Sequence, residues 1–232
     1  MVAPVQRPSA EGRGLFIVLE GGEGVGKTTQ WQRLAVALRL QQHDVLALRE
    51  PGGTPAGDEV RRILLDPASD LNAESEALLF AASRAQLVRA VITPALAQGT
   101  IVLVDRFLLS TYAYQGAGRG LSIPALRATN LLATGGVTPD ATLLLTMPLA
   151  DSLARMRARG SEDRMEREGT EFHARVHRAF ADASAVEWQL RHPEVGPVYQ
   201  IEASGSPEDV TARCLHQLSA HFSTRFAGAV NG

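Results

Sequence analysis

The stretch Leu15 to Thr29, LFIVLEGGEGVGKTT, restricts what this chain can fold into more than any other. Leu15 to Leu19 are apolar and rich in branched side chains, the pattern of a strand buried on both faces of a parallel sheet. Gly21-x-x-x-x-Gly26-Lys27-Thr28 follows at once and runs into a helical pattern. A glycine-rich loop between strand and helix turns its backbone N–H groups onto a phosphate, and the helix adds the partial positive charge of its N-terminus. Gly21, Gly22, Glu23, Gly24, Val25, Gly26, Lys27, Thr28 and Thr29 are therefore expected to cradle a nucleoside triphosphate. Lys27 would reach its β- and γ-phosphates, and the Thr28 hydroxyl would sit on Mg²⁺. Among 23 lysines and arginines, Lys27 is the only lysine. It stands where a compact ammonium on a flexible stem suits better than a planar fork.

At 232 residues with 45% hydrophobic content, the chain is expected to form one α/β domain with a sizeable core. A net charge of −2 argues against a protein that coats nucleic acid or lies on a membrane surface. No apolar run approaches the length of a membrane span or a signal peptide. The single cysteine, Cys214, excludes an intramolecular disulfide and fits a reducing compartment. A soluble cytoplasmic protein is the expectation. Residues 1–13 lack periodicity and read as a disordered extension.

After the loop, residues 27–41 read as an amphipathic helix and 44–48 as a second strand. That strand ends in Arg49-Glu50-Pro51-Gly52-Gly53-Thr54, above the sheet edge where ligands of open parallel sheets bind. Arg49 and Glu50 are site candidates there, and a solvated loop pair fits equally well. A long helix is expected over 74–98, with an inward stripe of Ala77, Phe80, Leu87 or Val88, and Val91. Arg84 falls on that stripe, where a guanidinium is costly unless satisfied. Either a buried ion pair or a polar ligand beside Phe80 would serve. The strand Ile101 to Val104 delivers Asp105 and Arg106, and residues 107–120 bring Ser110, Tyr112, Tyr114 and Gln115. Strands at 141–145 and 198–201 complete the set. Pro148 opens a helix on which Arg155 and Arg159 share a face, followed by a polar stretch with Arg164, Glu166 and Arg167. His173 and His177, four apart without an accompanying glutamate, read as a solvated helix face.

In this order the pieces resemble the bacterial thymidylate kinases, P-loop nucleoside monophosphate kinases. The matching residues are EGGEGVGKTT at 20–29, REPGGT at 49–54, LLFAASRAQ at 78–86, DRF with STYAYQG at 105–116, and RARGSEDRMERE at 157–168. The resemblance implies a five-stranded parallel sheet flanked by helices, a single kinase domain over 14–222 with a lid at about 157–169, and a tail at 223–232. It implies a homodimer and transfer of the γ-phosphoryl of ATP to dTMP with Mg²⁺. Phe80 would stack on thymine, Arg84 and Gln115 would bond its edge, Tyr114 would close on the deoxyribose, and Ser110 would join them in binding the substrate. Glu23 would accept from the 3′-hydroxyl or act through Mg²⁺, Arg49 and Arg106 would hold the dTMP phosphate, and Thr28, Asp105 and Glu50 would surround the metal.

Such an acceptor needs no strong general base, because a phosphate whose second pKa is about 6 is already anionic at neutral pH. The difficulty is roughly six negative charges meeting in line. Lys27, Arg49, Arg106 and Mg²⁺ offset them in part, with Asp105 orienting Arg106 or a metal-bound water. The phosphate loop contains no arginine, so Arg159, with Arg155 beside it and Arg164 following, is expected to close over the phosphates. The alternatives are a kinase for another pyrimidine monophosphate and an acceptor-independent P-loop ATPase. A GTPase switch is excluded, since its N-K-x-D motif needs a second lysine.

Overall fold

The computed structural model describes residues 12–160 and 163–226. The apolar runs assemble into one sheet of five strands, β1 (Phe16–Glu20), β2 (Val45–Arg49), β3 (Ile101–Asp105), β4 (Ala141–Thr146) and β5 (Val198–Glu202). Their order is β2-β3-β1-β4-β5 and every neighbouring pair is parallel. Alternation along β1 sends Phe16 and Val18 into one core and Ile17 and Leu19 into the other. That is why the strand shows no polar position before Glu20.

Helices cover both faces. α1 (Lys27–Leu40) follows β1, and α2 (Pro55–Leu65) and α3 (Ala73–Leu87) follow β2. A π-helical turn, Val88–Ile92, joins α3 to α4 (Thr93–Ala97). After β3 come α5 (Leu108–Thr111), a π-helical segment Tyr112–Gly118, and α6 (Ile123–Thr134). α7 (Leu149–Arg159), α8 (Thr170–Asp182) and α9 (Val186–Arg191) lie between β4 and β5. α10 (Pro207–His221) and α11 (Ser223–Phe226) close the described chain. From β1 the chain moves outward to β2, whereas from β3 it crosses to β4 on the opposite side. The crevice at the carboxyl ends of β1 and β3 is therefore the topological switch point, where such sheets bind ligands.

Several expectations change. The helix over 74–98 is not one α-helix: Pro94 has no N–H to donate and its ring crowds the carbonyl four residues back, and a widened turn precedes it. α2 was not anticipated, although Thr54 caps it by accepting from Gly57 N at 3.0 Å and Pro55 sits in its first turn. His173 and His177 are not solvated: His173 is buried, and His177 Nε2 lies 3.0 Å from Met147 O. The extension expected over 1–13 lies outside the described residues except for its last two, and Arg13 is tied to Asp140 at 2.8 Å. The tail begins as α11, with Phe226 buried against His43.

Candidate active site

The phosphate loop links β1 to α1. Gly26 caps α1 in the left-handed region, at φ 90°, and offers no side chain, so the first-turn N–H groups stay free for an anion. Gly24, at φ 73°, lies so close to α7 that a Cβ would stand 2.0 Å from Ser152 O. Lys27 is 7% exposed and donates from Nζ to Gly22 O at 2.5 Å. Burial, then the Arg106 charge, lowers its pKa to about 8, against the pull of Glu23, Asp105 and Glu20. A polyphosphate laid over it would restore the ammonium.

At the end of β3, Arg106 takes a left-handed conformation, φ 69°, that turns its side chain back over the loop. It donates to Gly21 O and Ser110 Oγ, both at 3.2 Å, and pairs with Glu23 Oε1. Tyr114 donates to that same oxygen at 2.7 Å, and Arg106 lies over its ring at 5.0 Å. Burial raises the Glu23 carboxyl, but Arg106 above all, then Lys27, Tyr114 and Arg159, bring it to about 2. Beneath this pair, the fully buried Glu20 accepts from Phe107 N at 2.8 Å, Ser110 N at 3.0 Å and Ser110 Oγ at 2.6 Å, capping α5. The Ser110 hydroxyl proton is thus committed to the protein. Asp105, expected to orient Arg106, makes no bond to it; Asp105 Oδ1 is buried without a partner among the described residues. Arg49 is exposed at the same wall. Beside it stands Arg61 of α2, whose NH1 donates to Pro51 O at 2.9 Å. Arg61 went unnoticed because its helix did; the Thr54-Pro55 start would have revealed both.

The other end of the cavity is less charged. Phe80 and Arg84 project from α3, one turn apart, with Gln115 facing them. Arg84 is 2% exposed and its guanidinium is a buried ion pair, Nε to Glu50 Oε2 at 2.8 Å. NH1 donates to Thr111 Oγ1 at 3.0 Å and Asn130 Oδ1 at 2.8 Å, and NH2 to Phe107 O at 3.1 Å. Of the two ways expected to satisfy this arginine, the buried ion pair is present. One NH2 hydrogen is left for anything in the cavity. Burial raises the Glu50 carboxyl while Arg84 draws it down, and Glu50 Oε1 has no partner among the described residues. The Gln115 amide nitrogen donates to Glu76 Oε1 at 2.8 Å. A carboxylate can only accept, which fixes the amide's orientation and leaves its oxygen unassigned.

The three arginines expected over the phosphates part company. Arg159, at the end of α7, lines the cavity and pairs with Glu166. Arg155 is turned to Ala203 O at 3.5 Å, and Arg164 to Glu76 Oε2 at 2.6 Å. Neither lines the cavity wall. Spacing on a helix gave Arg155 and Arg159 a common face but not a common target.

The cavity these residues enclose measures about 480 Å³ and runs from Lys27, Thr28 and Thr29 past Asp105 and Arg106 to Phe80 and Gln115. A hard divalent cation fits its chemistry. The unpartnered Asp105 oxygen shares the wall with the Thr28 hydroxyl, and no cluster of three or more His, Cys, Asp or Glu occurs among the described residues. Mg²⁺ in phosphoryl-transfer sites takes few protein ligands and completes its shell from phosphates and water.

Residues 19–192 match the family model described as Thymidylate kinase. The thymidylate kinase of Deinococcus radiodurans is 52% identical over 177 residues, 76% of this chain and 86% of that protein. That of Rhizorhabdus wittichii is 45% identical over 209 residues, 89% of this chain and 97% of the relative. That of Synechococcus sp. strain JA-2-3B'a(2-13) is 49% identical over 201 residues, covering 86% and 91%.

Proposed function

Since the chain belongs to the thymidylate kinase family, we propose that it transfers the γ-phosphoryl group of ATP to dTMP, giving dTDP and ADP. One observation carries the choice of acceptor: Arg84 keeps one N–H and Gln115 one amide oxygen at the pocket beside Phe80. Thymine presents a carbonyl O4 next to an N3–H, the complement of that donor and acceptor. Cytosine presents an amino group and a bare ring nitrogen, the reverse on both counts. Uracil shares the thymine edge and lacks only the methyl group, which makes dUMP the nearest competitor.

Phosphoryl transfer then rests on position and charge. The N–H groups at the start of α1 and Lys27 would hold the ATP phosphates, and Arg49, Arg61 and Arg106 the acceptor phosphate. Glu23 locks Arg106 through Oε1, leaving Oε2 for a sugar hydroxyl. Thr28 and Asp105 would hold Mg²⁺, whose charge would offset that of the phosphates, with Glu50 Oε1 on the acceptor side. Arg159 reaches the same space from α7 and supplies the cation that the phosphate loop lacks. We further propose the homodimer and the cytoplasmic setting. The neighbouring helices α3 and α6 leave Leu78, Leu131 and Leu132 exposed, and the lone Cys214 is buried and unpaired. No helix among the described residues is long and apolar enough to cross a membrane.

An acceptor panel tests the assignment. kcat/KM should be highest for dTMP and at least about 10²-fold lower for dCMP, since a buried donor and acceptor would both go unpaired. A preference for a cytosine or purine nucleotide would refute the pocket as described.

A further inference from the structure

A second charged cluster lies behind the cavity, unused by the mechanism above. Its centre is Glu76 in the first turn of α3, at 0% exposure. A carboxylate so buried is tolerable only when every lone pair finds a donor. Oε1 accepts from Gln115 Nε2 at 2.8 Å and Arg119 Nε at 3.3 Å; Oε2 accepts from Arg119 NH2 at 2.9 Å and Arg164 NH2 at 2.6 Å. Hydrogen bonds from Arg119, Gln115 and Arg164 outweigh burial, so the Glu76 carboxyl titrates below its ordinary range.

One of these donors, Gln115, lines the cavity, and another, Arg164, adjoins residues that do. Gln115 is the residue whose remaining amide oxygen faces the acceptor pocket. Arg164 is anchored a second time, donating from Nε to Leu64 O at 2.8 Å. It precedes Met165 and Glu166, both on the cavity wall, and Glu166 is the partner of Arg159. Hydrogen bonds and one short run of backbone thus join Gln115, Glu76, Arg164, Glu166 and Arg159, reaching from the base to the transferred phosphate.

We propose that Glu76 is a positioning residue that couples the two: it fixes the Gln115 amide for the base and, through Arg164, sets Glu166 and Arg159 at the phosphates. Filling the base pocket and aligning the phosphate-end arginine then become linked events. This rests on the dTMP kinase reading of the cavity.

The test is a double-mutant cycle on Glu76→Gln and Arg164→Gln, with steady-state kinetics and thermal melts for each protein. Arg164→Gln, which touches Gln115 only through the shared Glu76 carboxylate, should raise KM for dTMP roughly tenfold while KM for ATP stays put. Arg164→Lys, which still donates to Glu76, should recover most of that loss. Adding Arg164→Gln to Glu76→Gln should change KM for dTMP little further, because the link is already cut. Should Glu76→Gln not fold, the Arg164 pair alone decides. An unchanged KM for dTMP in Arg164→Gln, additive losses in the cycle, or a fall in melting temperature with all kinetic constants moving together would each overturn the coupling. A wild-type enzyme indifferent to dTMP would instead overturn the reading beneath it, and is seen without any variant.

Discussion

Arg159 is half exposed, paired with Glu166, and placed on the wall of the cavity that Lys27 also lines. A guanidinium supplied to a transferring phosphoryl group is worth about 10³ or more in rate. Arg159→Ala should lower kcat by about that factor with little change in KM for ATP, and an unchanged kcat would remove it from the mechanism. Arg155→Ala, whose side chain is turned to Ala203, should by contrast lose far less. Glu23 offers a test by pH. Against the push of burial, Arg106 and its neighbours hold the carboxyl at about 2 rather than 4.5, so the folded state binds its proton less readily than the unfolded chain. Glu23 therefore stabilises the fold by roughly 3 kcal/mol above pH 4.5, and the contribution fades as pH falls toward 2. Urea melts of wild type and Glu23→Gln should differ at neutral pH and draw together on acidification. A gap that widens in acid would contradict the pairing. At this scale the sequence could name Arg84 as an anomaly but could not say that Glu50, Thr111, Asn130 and Phe107 O answer it, since those partners come from three separate places in the chain.

The elements that carry the site were legible to different degrees, and the reason is local in each case. β1, the phosphate loop and α1 could be read residue by residue, because strand pattern, glycine spacing and helix start reinforce one another. Gly24 is the strictest position, and Gly24→Ala puts a Cβ 2.0 Å from Ser152 O in a conformation side chains avoid. Nucleotide binding by calorimetry should be lost while the far-ultraviolet dichroism is kept; tight ATP binding by this variant would mean the loop is not held as described. α2 was missed because its Thr54-Pro55 start follows a glycine pair that reads as turn. Its cap can be weighed: Thr54→Ala should cost about 1 kcal/mol in a melt and displace Arg61, raising KM for dTMP. No change in either would detach α2 from the site. The π-helical turn before Pro94 and the π-helical Tyr112–Gly118 were beyond periodicity altogether, since a widened turn shifts the very spacing that such patterns rely on.

At the scale of the molecule, the order β2-β3-β1-β4-β5 brings three carboxyl ends, from β2, β3 and β1, to one crevice. Glu50, Asp105, Arg106 and the phosphate loop meet there from positions far apart in sequence, and a cavity of about 480 Å³ joins the phosphate-loop end to the end lined by Phe80 and Gln115. A fold that only bound or hydrolysed ATP would have no use for the second end. The central claim is that the γ-phosphoryl group leaves ATP only when a phosphate acceptor fills that end, and ADP release by the purified protein with ATP and Mg²⁺, with and without dTMP, tests it most directly. Release should rise by about 10²-fold or more when dTMP is added, as expected when the acceptor completes the charge arrangement. Equal release in its absence would contradict the account.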